Sequence, residues 1–161
     1  MLKVLFLCTS NSARSQMAEA ILNSKGEGKI MAYSAGNEPA EKVNPYAIAV
    51  MKEIGIDISN SKPKSASLFT DEYFDVVITL CDRAKNQCPL YSSSTIHIHW
   101  GFPDPEYFEG SDEEILRQFR TICLELYRRI GLLITISTKS VDKEHLTQKL
   151  NEILENDQSM K

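Results

Sequence analysis

Positive charge is not in excess in this sequence: 18 lysines and arginines face 22 aspartates and glutamates over 161 residues, a formal net charge of −4. A domain that binds nucleic acid usually carries a basic face, so the balance argues against nucleic acid as a partner. It leaves room for a local basic pocket that binds a small anion.

Long hydrophobic runs are also missing. The apolar segment at residues 4–7 is too short for a secretory signal, and the polar stretch TSNSARSQ follows it at once. No segment approaches the roughly 20 apolar residues of a transmembrane helix. We therefore expect a cytoplasmic protein with no membrane contact.

Cysteine and histidine are sparse, with four cysteines and three histidines. In a reducing compartment, cysteines are buried, bound to a metal, catalytic or redox-active rather than joined in permanent disulfides. Six residues separate Cys81 from Cys88, which is poor spacing for zinc, and no histidine pair of suitable spacing accompanies them. We expect no metal site here, and Cys123, beside the apolar face of a helix, is predicted to be a core residue.

Continuous apolar segments alternate with amphipathic ones along the chain. Strands are predicted at 3–7, 29–36, 75–81 and 94–100, and helices at 13–25, at 44–54 and from 111 onwards. The third strand, DVVITLC, is apolar throughout, which is typical of a strand buried on both faces of a parallel sheet. The alternation predicts an α/β fold with a parallel sheet.

The C-terminal part has a different pattern. ISTKS has the composition of a connector, and VDKEHLTQKLNEILEN is weakly amphipathic. We therefore predict one domain over residues 1–134 and an extension over 135–161, a connector followed by a helix. A periodic apolar face usually packs on a core, so we favour packing on the domain edge over binding of a partner.

The stretch VLFLCTSNSARSQMAEA, residues 4–20, places Cys8 at the end of the first strand and Arg14 six residues later, at the start of a helix. Backbone N–H groups at such a helix start favour an anion, and the arginine fork matches two oxygens of a tetrahedral oxyanion. Small side chains let the backbone close around that ligand. The predicted oxyanion-binding residues are Thr9, Ser10, Asn11, Ser12, Ala13 and Arg14.

The same environment acts on Cys8. A helix N-terminus and a nearby arginine lower the pKa of a thiol, so Cys8 is predicted to be a thiolate at neutral pH and hence a nucleophile. Ser15 can donate a hydrogen bond to it. The alternative is an inert buried cysteine with Arg14 on the surface.

These residues resemble the phosphate-binding loop of the low-molecular-weight tyrosine phosphatase family. The resemblance covers about residues 1–134 and includes YSAG at 33–36, the Asn-Pro helix start at 44 and HWGFPDP at 99–105. It implies a four-stranded parallel sheet of order 2-1-3-4 with helices on both faces. It also implies that Cys8 is the nucleophile, Arg14 the oxyanion clamp and Asp104 the general acid.

A phosphatase of this kind needs one catalytic cysteine, but Cys81 lies at the end of the third strand. In the order 2-1-3-4 the first and third strands are neighbours, about 5 Å apart. A disulfide requires Cα atoms within roughly 4.4–6.8 Å, so a Cys8–Cys81 bond is geometrically plausible. Cys88 follows on a loop long enough to fold back onto Cys81.

This three-cysteine layout, together with SQMAE after the arginine, resembles the thioredoxin-coupled arsenate reductases, which share the phosphatase fold. The resemblance implies a thiol relay through a transient Cys8–Cys81 disulfide and then a Cys81–Cys88 disulfide, which thioredoxin reduces. It implies arsenate as substrate, phosphate and sulfate as competing oxyanions, no bound cofactor, and a monomer. A glutaredoxin or a low-molecular-weight thiol remains an alternative reductant.

Some of these reductases bind potassium near the loop, at positions that match Asn11, Glu19 and Ser34. Their further aspartate has no counterpart in SKPKSAS, residues 61–67. We therefore predict weak or no potassium dependence, with the Lys64 ammonium in the place of the cation.

Two other functions stay open at this point. A phosphatase acting on phosphotyrosine is favoured slightly by Tyr107, because an aromatic residue there would line a tyrosine-sized slot. A non-enzymatic oxyanion or redox sensor could use the same cradle, although such a module would not need a general acid.

Overall fold

Four parallel strands lie at the centre of the molecule. They are β1 Leu2–Cys8, β2 Ile30–Gly36, β3 Val76–Thr79 and β4 Ile96–His99, in the order β2-β1-β3-β4. This computed structural model describes residues 1–86, 94–139 and 143–159. The predicted parallel sheet and its strand order are confirmed.

The central strand β1 is buried along most of its length. Residues 4–8 are at most 2 % exposed, so protein covers both faces of the sheet at this strand. The register pairs Cys8 with Gly36 of β2 and Leu7 with Thr79 of β3. The carboxyl ends of these strands therefore meet at one edge, where ligands bind in open parallel sheets.

Five α-helices complete the described fold: α1 Arg14–Lys25, α2 Pro45–Glu53, α3 Asp82–Asn86, α4 Asp112–Lys139 and α5 Lys143–Ser159. Two short 3₁₀ helices lie at Ala66–Phe69 and Pro105–Tyr107. α1 packs on β1, β2 and α4, and α2 packs on α4.

Local sequence explains the helix starts. The Asn44 side chain accepts a hydrogen bond of 2.8 Å from Tyr46 N, and Pro45 occupies the first turn of α2. Ser111 Oγ accepts a hydrogen bond from Glu114 N at the start of α4, as the SDEE pattern predicts. α1 instead begins after Ala13, which has no capping side chain.

The C-terminal part differs from the prediction in one respect. Helix α4 continues through residues 135–139, so most of the ISTKS segment is helical and not a connector. The buried apolar face of α4 continues to this end of the helix, where Ile134 and Ile136 are partly buried against the core, which explains the continuation. Leu146, Leu150 and Ile153 of α5 are buried against α4 and β4.

Within the described residues, no helix combines the length and apolarity that crossing a membrane requires.

Candidate active site

The loop between β1 and α1 is held by backbone hydrogen bonds that turn its carbonyl groups outward. The pairs are Glu38 N with Thr9 O, Ala40 N with Ser10 O and Asn44 N with Ser12 O, at 2.9, 2.9 and 2.8 Å. In a trans peptide the next N–H points the opposite way, so the following N–H groups turn inward. Asn11 N is one of them, and it donates to Cys8 Sγ at 3.2 Å. The loop is therefore an N–H-lined cradle suited to an anion.

Two backbone features make this loop compact. Asn11 has φ of +52°, the left-handed region that asparagine tolerates better than most residues. A Cβ at Gly36 would lie 2.5 Å from Thr9 O and 2.9 Å from Asn11 N, so only glycine fits where the loop crosses the end of β2.

Arg14 is buried, with 3 % of its surface exposed. Its Nη1 donates to Phe102 O at 3.1 Å, and its Nη2 lies 3.7 Å from Asp104 Oδ2. The segment after β4 thus brings the predicted clamp and the predicted general acid together. Asp104 Oδ1 also accepts a hydrogen bond from Glu106 N at 3.0 Å, which fixes this carboxylate at the start of a 3₁₀ helix.

Cys8 is almost inaccessible, at 1 % exposure, and its Sγ lies 2.8 Å from Ser15 Oγ. Burial raises the pKa of the Cys8 thiol above its ordinary value, while the Ser15 hydroxyl, the Arg14 charge and the Asn11 N–H act in the opposite direction. The prediction of a lowered pKa was therefore wrong, because the sequence shows the favourable donors but not the loss of solvent around the sulfur.

A cleft of about 650 Å³ opens in front of the loop. Its lining includes Thr9, Ser10, Arg14, Glu38, Cys81, Asp82, Arg83, Phe102, Asp104, Glu106 and Tyr107. Arg14, Cys81 and Asp104 thus share one cleft, at the sheet edge that the sequence predicts.

Cys81 is a free, buried thiol at 8 % exposure. β3 ends at Thr79, earlier than predicted, and Cys81 directly precedes α3. Its Sγ lies 3.3 Å from Thr9 Oγ1, in the loop between β1 and α1 (the anion loop, named after the ligand predicted for it), and accepts a hydrogen bond from Ala84 N at 3.3 Å. The thiol is thereby directed toward the cradle.

The two other cysteines differ in what the structure says of them. Cys88 and its predicted disulfide partnership lie outside the described residues. Cys123 is 2 % exposed and 3.8 Å from Met51 Sδ, and burial raises the pKa of its thiol to about 11. Its surroundings are those of a core residue.

The residues considered for potassium lie behind the loop. Ser34 Oγ donates to Glu19 Oε2 at 2.6 Å, and Lys64 Nζ lies 3.4 Å from the same oxygen. An ammonium group therefore faces the carboxylate that a bound cation would contact. Across the part of the chain that the structure describes, no group of three or more His, Cys, Asp or Glu side chains could hold a metal ion.

Sequence reasoning missed several residues that shape the site. Gly36 could have been found from its position at the end of the predicted second strand, and the structure places it beside Cys8. Gln16 is 1 % exposed, and a polar residue in the first turn of a core helix is a usable signal. His99 lies 2.8 Å from Thr79 Oγ1 and 3.0 Å from Asp82 Oδ1, and the sequence carries no signal for this role beyond its position at the end of β4.

Comparison with known proteins decides the family. A model of the low molecular weight phosphotyrosine protein phosphatases matches residues 3–148. The chain belongs to this family. The match extends beyond the predicted boundary at residue 134 and into α5.

Several known proteins are similar to this chain. An arsenate reductase from Halalkalibacterium halodurans is 44 % identical over 127 residues, which cover 79 % of this chain and 91 % of the relative. A glutaredoxin arsenate reductase from Synechocystis is 40 % identical over 134 residues, which cover 83 % of this chain and 97 % of the relative. A solved structure of an arsenate reductase in the phosphate binding state matches with a TM-score of 0.71 and 40 % identity, over 84 % of this chain and 98 % of that one.

Proposed function

We propose that this protein reduces arsenate to arsenite through a relay of the thiols of Cys8, Cys81 and Cys88. The observation that carries the proposal is the Cys81 thiol, which lines the same cleft as Arg14 and lies 3.3 Å from Thr9 of the anion loop. Hydrolysis of a phosphate ester through Cys8 requires no second thiol at this place, whereas a reductase requires one. The similar arsenate reductases support the same activity.

The first step is formation of an arsenic–sulfur bond. Arg14 and the inward N–H groups hold the arsenate, and the bound dianion, itself a base, takes the Cys8 proton. Cys8 Sγ then attacks arsenic while Asp104 protonates the departing oxygen, which leaves as water. The N–H of Asn11 and the hydroxyl of Ser15 stabilise the charge on the sulfur before attack.

The second step transfers the electrons. Cys81 thiolate attacks Cys8 Sγ, a Cys8–Cys81 disulfide forms, and the electron pair of the broken sulfur–arsenic bond stays on arsenic, which leaves as arsenite. Cys88 thiolate then attacks Cys81, which frees Cys8 and leaves a Cys81–Cys88 disulfide. An external dithiol restores both thiols.

We propose thioredoxin as that dithiol, since the relay ends in a protein disulfide. The relative from Synechocystis is named as a glutaredoxin arsenate reductase, so glutaredoxin with glutathione is the competing donor. Parallel turnover assays with each donor system decide between them. Turnover with glutaredoxin and none with thioredoxin would overturn this part of the proposal.

The deciding experiment follows NADPH consumption with arsenate, thioredoxin and thioredoxin reductase. Turnover is expected in the wild type and in Cys123→Ser, and it is expected to be lost in Cys81→Ser. In Cys88→Ser, a single equivalent of arsenite and a Cys8–Cys81 disulfide, seen by mass spectrometry, are expected. Full multiple turnover in Cys88→Ser would contradict the relay order.

A phosphatase is the second candidate, favoured by Tyr107, which lines the cleft and is 82 % exposed. A phosphotyrosine ring would stack on such a side chain. No arsenate turnover, with fast hydrolysis of an aryl phosphate that Cys81→Ser leaves unchanged, would establish this function instead.

A further inference from the structure

Gln16 lies in the first turn of α1, and its side-chain amide is buried, with 1 % of the residue's surface exposed. Its Nε2 donates to Asn11 Oδ1 at 2.9 Å and to Lys62 O at 3.0 Å. Both partners are oxygen acceptors, so the nitrogen must face them and the orientation of the amide is fixed. Its Oε1 is buried and has no hydrogen-bond partner among the residues the structure describes. This orientation of the amide therefore satisfies the two N–H groups and leaves the oxygen unsatisfied.

The next link is Asn11. Its Oδ1 accepts from Gln16 Nε2 and, at 2.8 Å, from Lys64 N, so the two lone pairs of this oxygen are used. The Asn11 amide therefore cannot turn over without losing both bonds. Its Nδ2 is directed at Ser15 Oγ, 2.7 Å away.

The direction of the last hydrogen bond follows. Ser15 Oγ accepts a hydrogen bond from Asn11 Nδ2, which leaves the proton of its own hydroxyl available for Cys8 Sγ at 2.8 Å. A thiolate sulfur can only accept, so when Cys8 is ionised the single proton of the Ser15 hydroxyl points to it and the chain of bonds runs in this sense. All members of the chain are buried, where a hydrogen bond is stronger than in water.

We propose that Gln16 is a positioning residue for the nucleophile: through Asn11 it orients the Ser15 hydroxyl so that this hydroxyl donates to Cys8. Gln16 does not touch the cleft, and it ties the loop to the segment that carries Lys62 and Lys64. The inference rests on Cys8 being the nucleophile of the proposed function. It holds whether the electrophile is arsenic or phosphorus.

The test measures the rate at which iodoacetamide alkylates Cys8, read from the Cys8 peptide by mass spectrometry, from pH 6 to pH 10. Gln16→Met keeps the size of the side chain and removes both donors. We expect alkylation of Cys8 at neutral pH to slow about five-fold and the inflection of its pH profile to move to higher pH. Asn23→Ala is the matched control. Asn23 is also a residue of α1, and its side chain makes two hydrogen bonds to the backbone of Ala32 in β2.

A double-mutant cycle separates positioning from a general loss of structure. In a Ser15→Ala background the hydroxyl is gone, so Gln16→Met is expected to cause no further decrease in the rate of Cys8 alkylation. An equal slowing in both backgrounds, or an effect no larger than that of Asn23→Ala, would overturn the proposal.

A second variant guards against misfolding. Gln16→Glu preserves the shape of the side chain but places a carboxylate against two acceptors. At neutral pH it is expected to lower the rate of Cys8 alkylation at least as much as Gln16→Met does. An unchanged rate would refute the inference. The assay needs neither arsenate nor a thiol donor, so a failure of the proposed function would not be mistaken for a failure of this one.

Discussion

At the scale of single residues, Arg14 and Asp104 act as a unit. The arginine is held on one side by a carbonyl and faces the carboxylate on the other, at 3.1 and 3.7 Å. Arg14 also lines the cleft, and because its guanidinium is planar and buried, these two contacts fix the orientation of the group. A lysine would provide charge without this direction.

We therefore expect Arg14→Lys to lower kcat/KM for arsenate by about 10²- to 10³-fold, the usual cost of losing a preorganised oxyanion donor. Arg117→Lys, at an exposed position of α4, is the control and is expected to retain activity. Steady-state kinetics with the donor system measures both. Activity in Arg14→Lys close to that of wild type would mean that charge alone suffices.

The Lys64 ammonium beside Glu19 predicts that activity is the same in potassium and sodium salts. Removing this ammonium in Lys64→Ala leaves the Glu19 carboxylate and the Ser34 hydroxyl without their cation, so we expect this variant to gain activity in potassium. Lys62→Ala, whose side chain is exposed, is the control. Strong activation of the wild type by potassium would contradict the prediction.

At the scale of elements, α5 belongs to the packed structure. Leu146, Leu150 and Ile153 are buried on α4 and β4, on elements that do not line the cleft. We propose that residues 143–153 stabilise the domain and have no part in the chemistry.

Leu150→Ala is accordingly expected to lower the free energy of unfolding by about 2–4 kcal/mol, the range for a fully buried leucine. The KM for arsenate should not change at temperatures where the variant is folded. Leu124→Ala, with 65 % of its surface exposed, is expected to stay within about 0.5 kcal/mol of wild type. Urea denaturation gives both values, and equal losses would contradict the packing argument.

Elements with strong local signals are the ones that the sequence predicts well. The Asn44-Pro45 start of α2 and the Ser111 start of α4 are visible because capping uses side chains of adjacent residues. The end of α4 is not visible in the sequence, because the packing of Ile134 and Ile136 outweighs the polar composition of the stretch ISTKS.

The site follows the same rule. Cys8 and Arg14 can be predicted from residue type and from their position after the first strand, whereas Asp104 is predicted through the family resemblance, because an Asp-Pro pair in a loop is usually part of a turn. The network that joins Gln16 to Lys62 and Asn11 to Lys64 cannot be predicted in this way, because these partners are 46 and 53 positions apart in the chain. The pKa of Cys8 is also beyond the sequence, since it depends on how much solvent the folded chain removes.

At the scale of the whole molecule, buried thiols make stability depend on pH. The ordinary thiol pKa is 9.0, and burial raises that of Cys123 to about 11. Between these values the unfolded chain loses the proton and the folded chain keeps it, so the free energy of unfolding falls as the pH rises.

We expect Cys123 to contribute a loss of about 2 kcal/mol between pH 8 and pH 11. Urea denaturation across this range measures the slope in the wild type and in Cys123→Ala, whose curve is expected to be flatter. Parallel curves would show that the Cys123 thiol titrates alike in both states.

The backbone origin of the anion cradle has a consequence for how this protein tolerates change. The bonds from the N–H groups of Glu38, Ala40 and Asn44 to the loop carbonyls use no side chain. Side chains at 38 and 40 line the mouth of the cleft and are therefore free to vary while the anion site stays intact. A substitution at position 38 or 40 is thus expected to change the lining of the cleft while the backbone bonds that shape the loop remain in place.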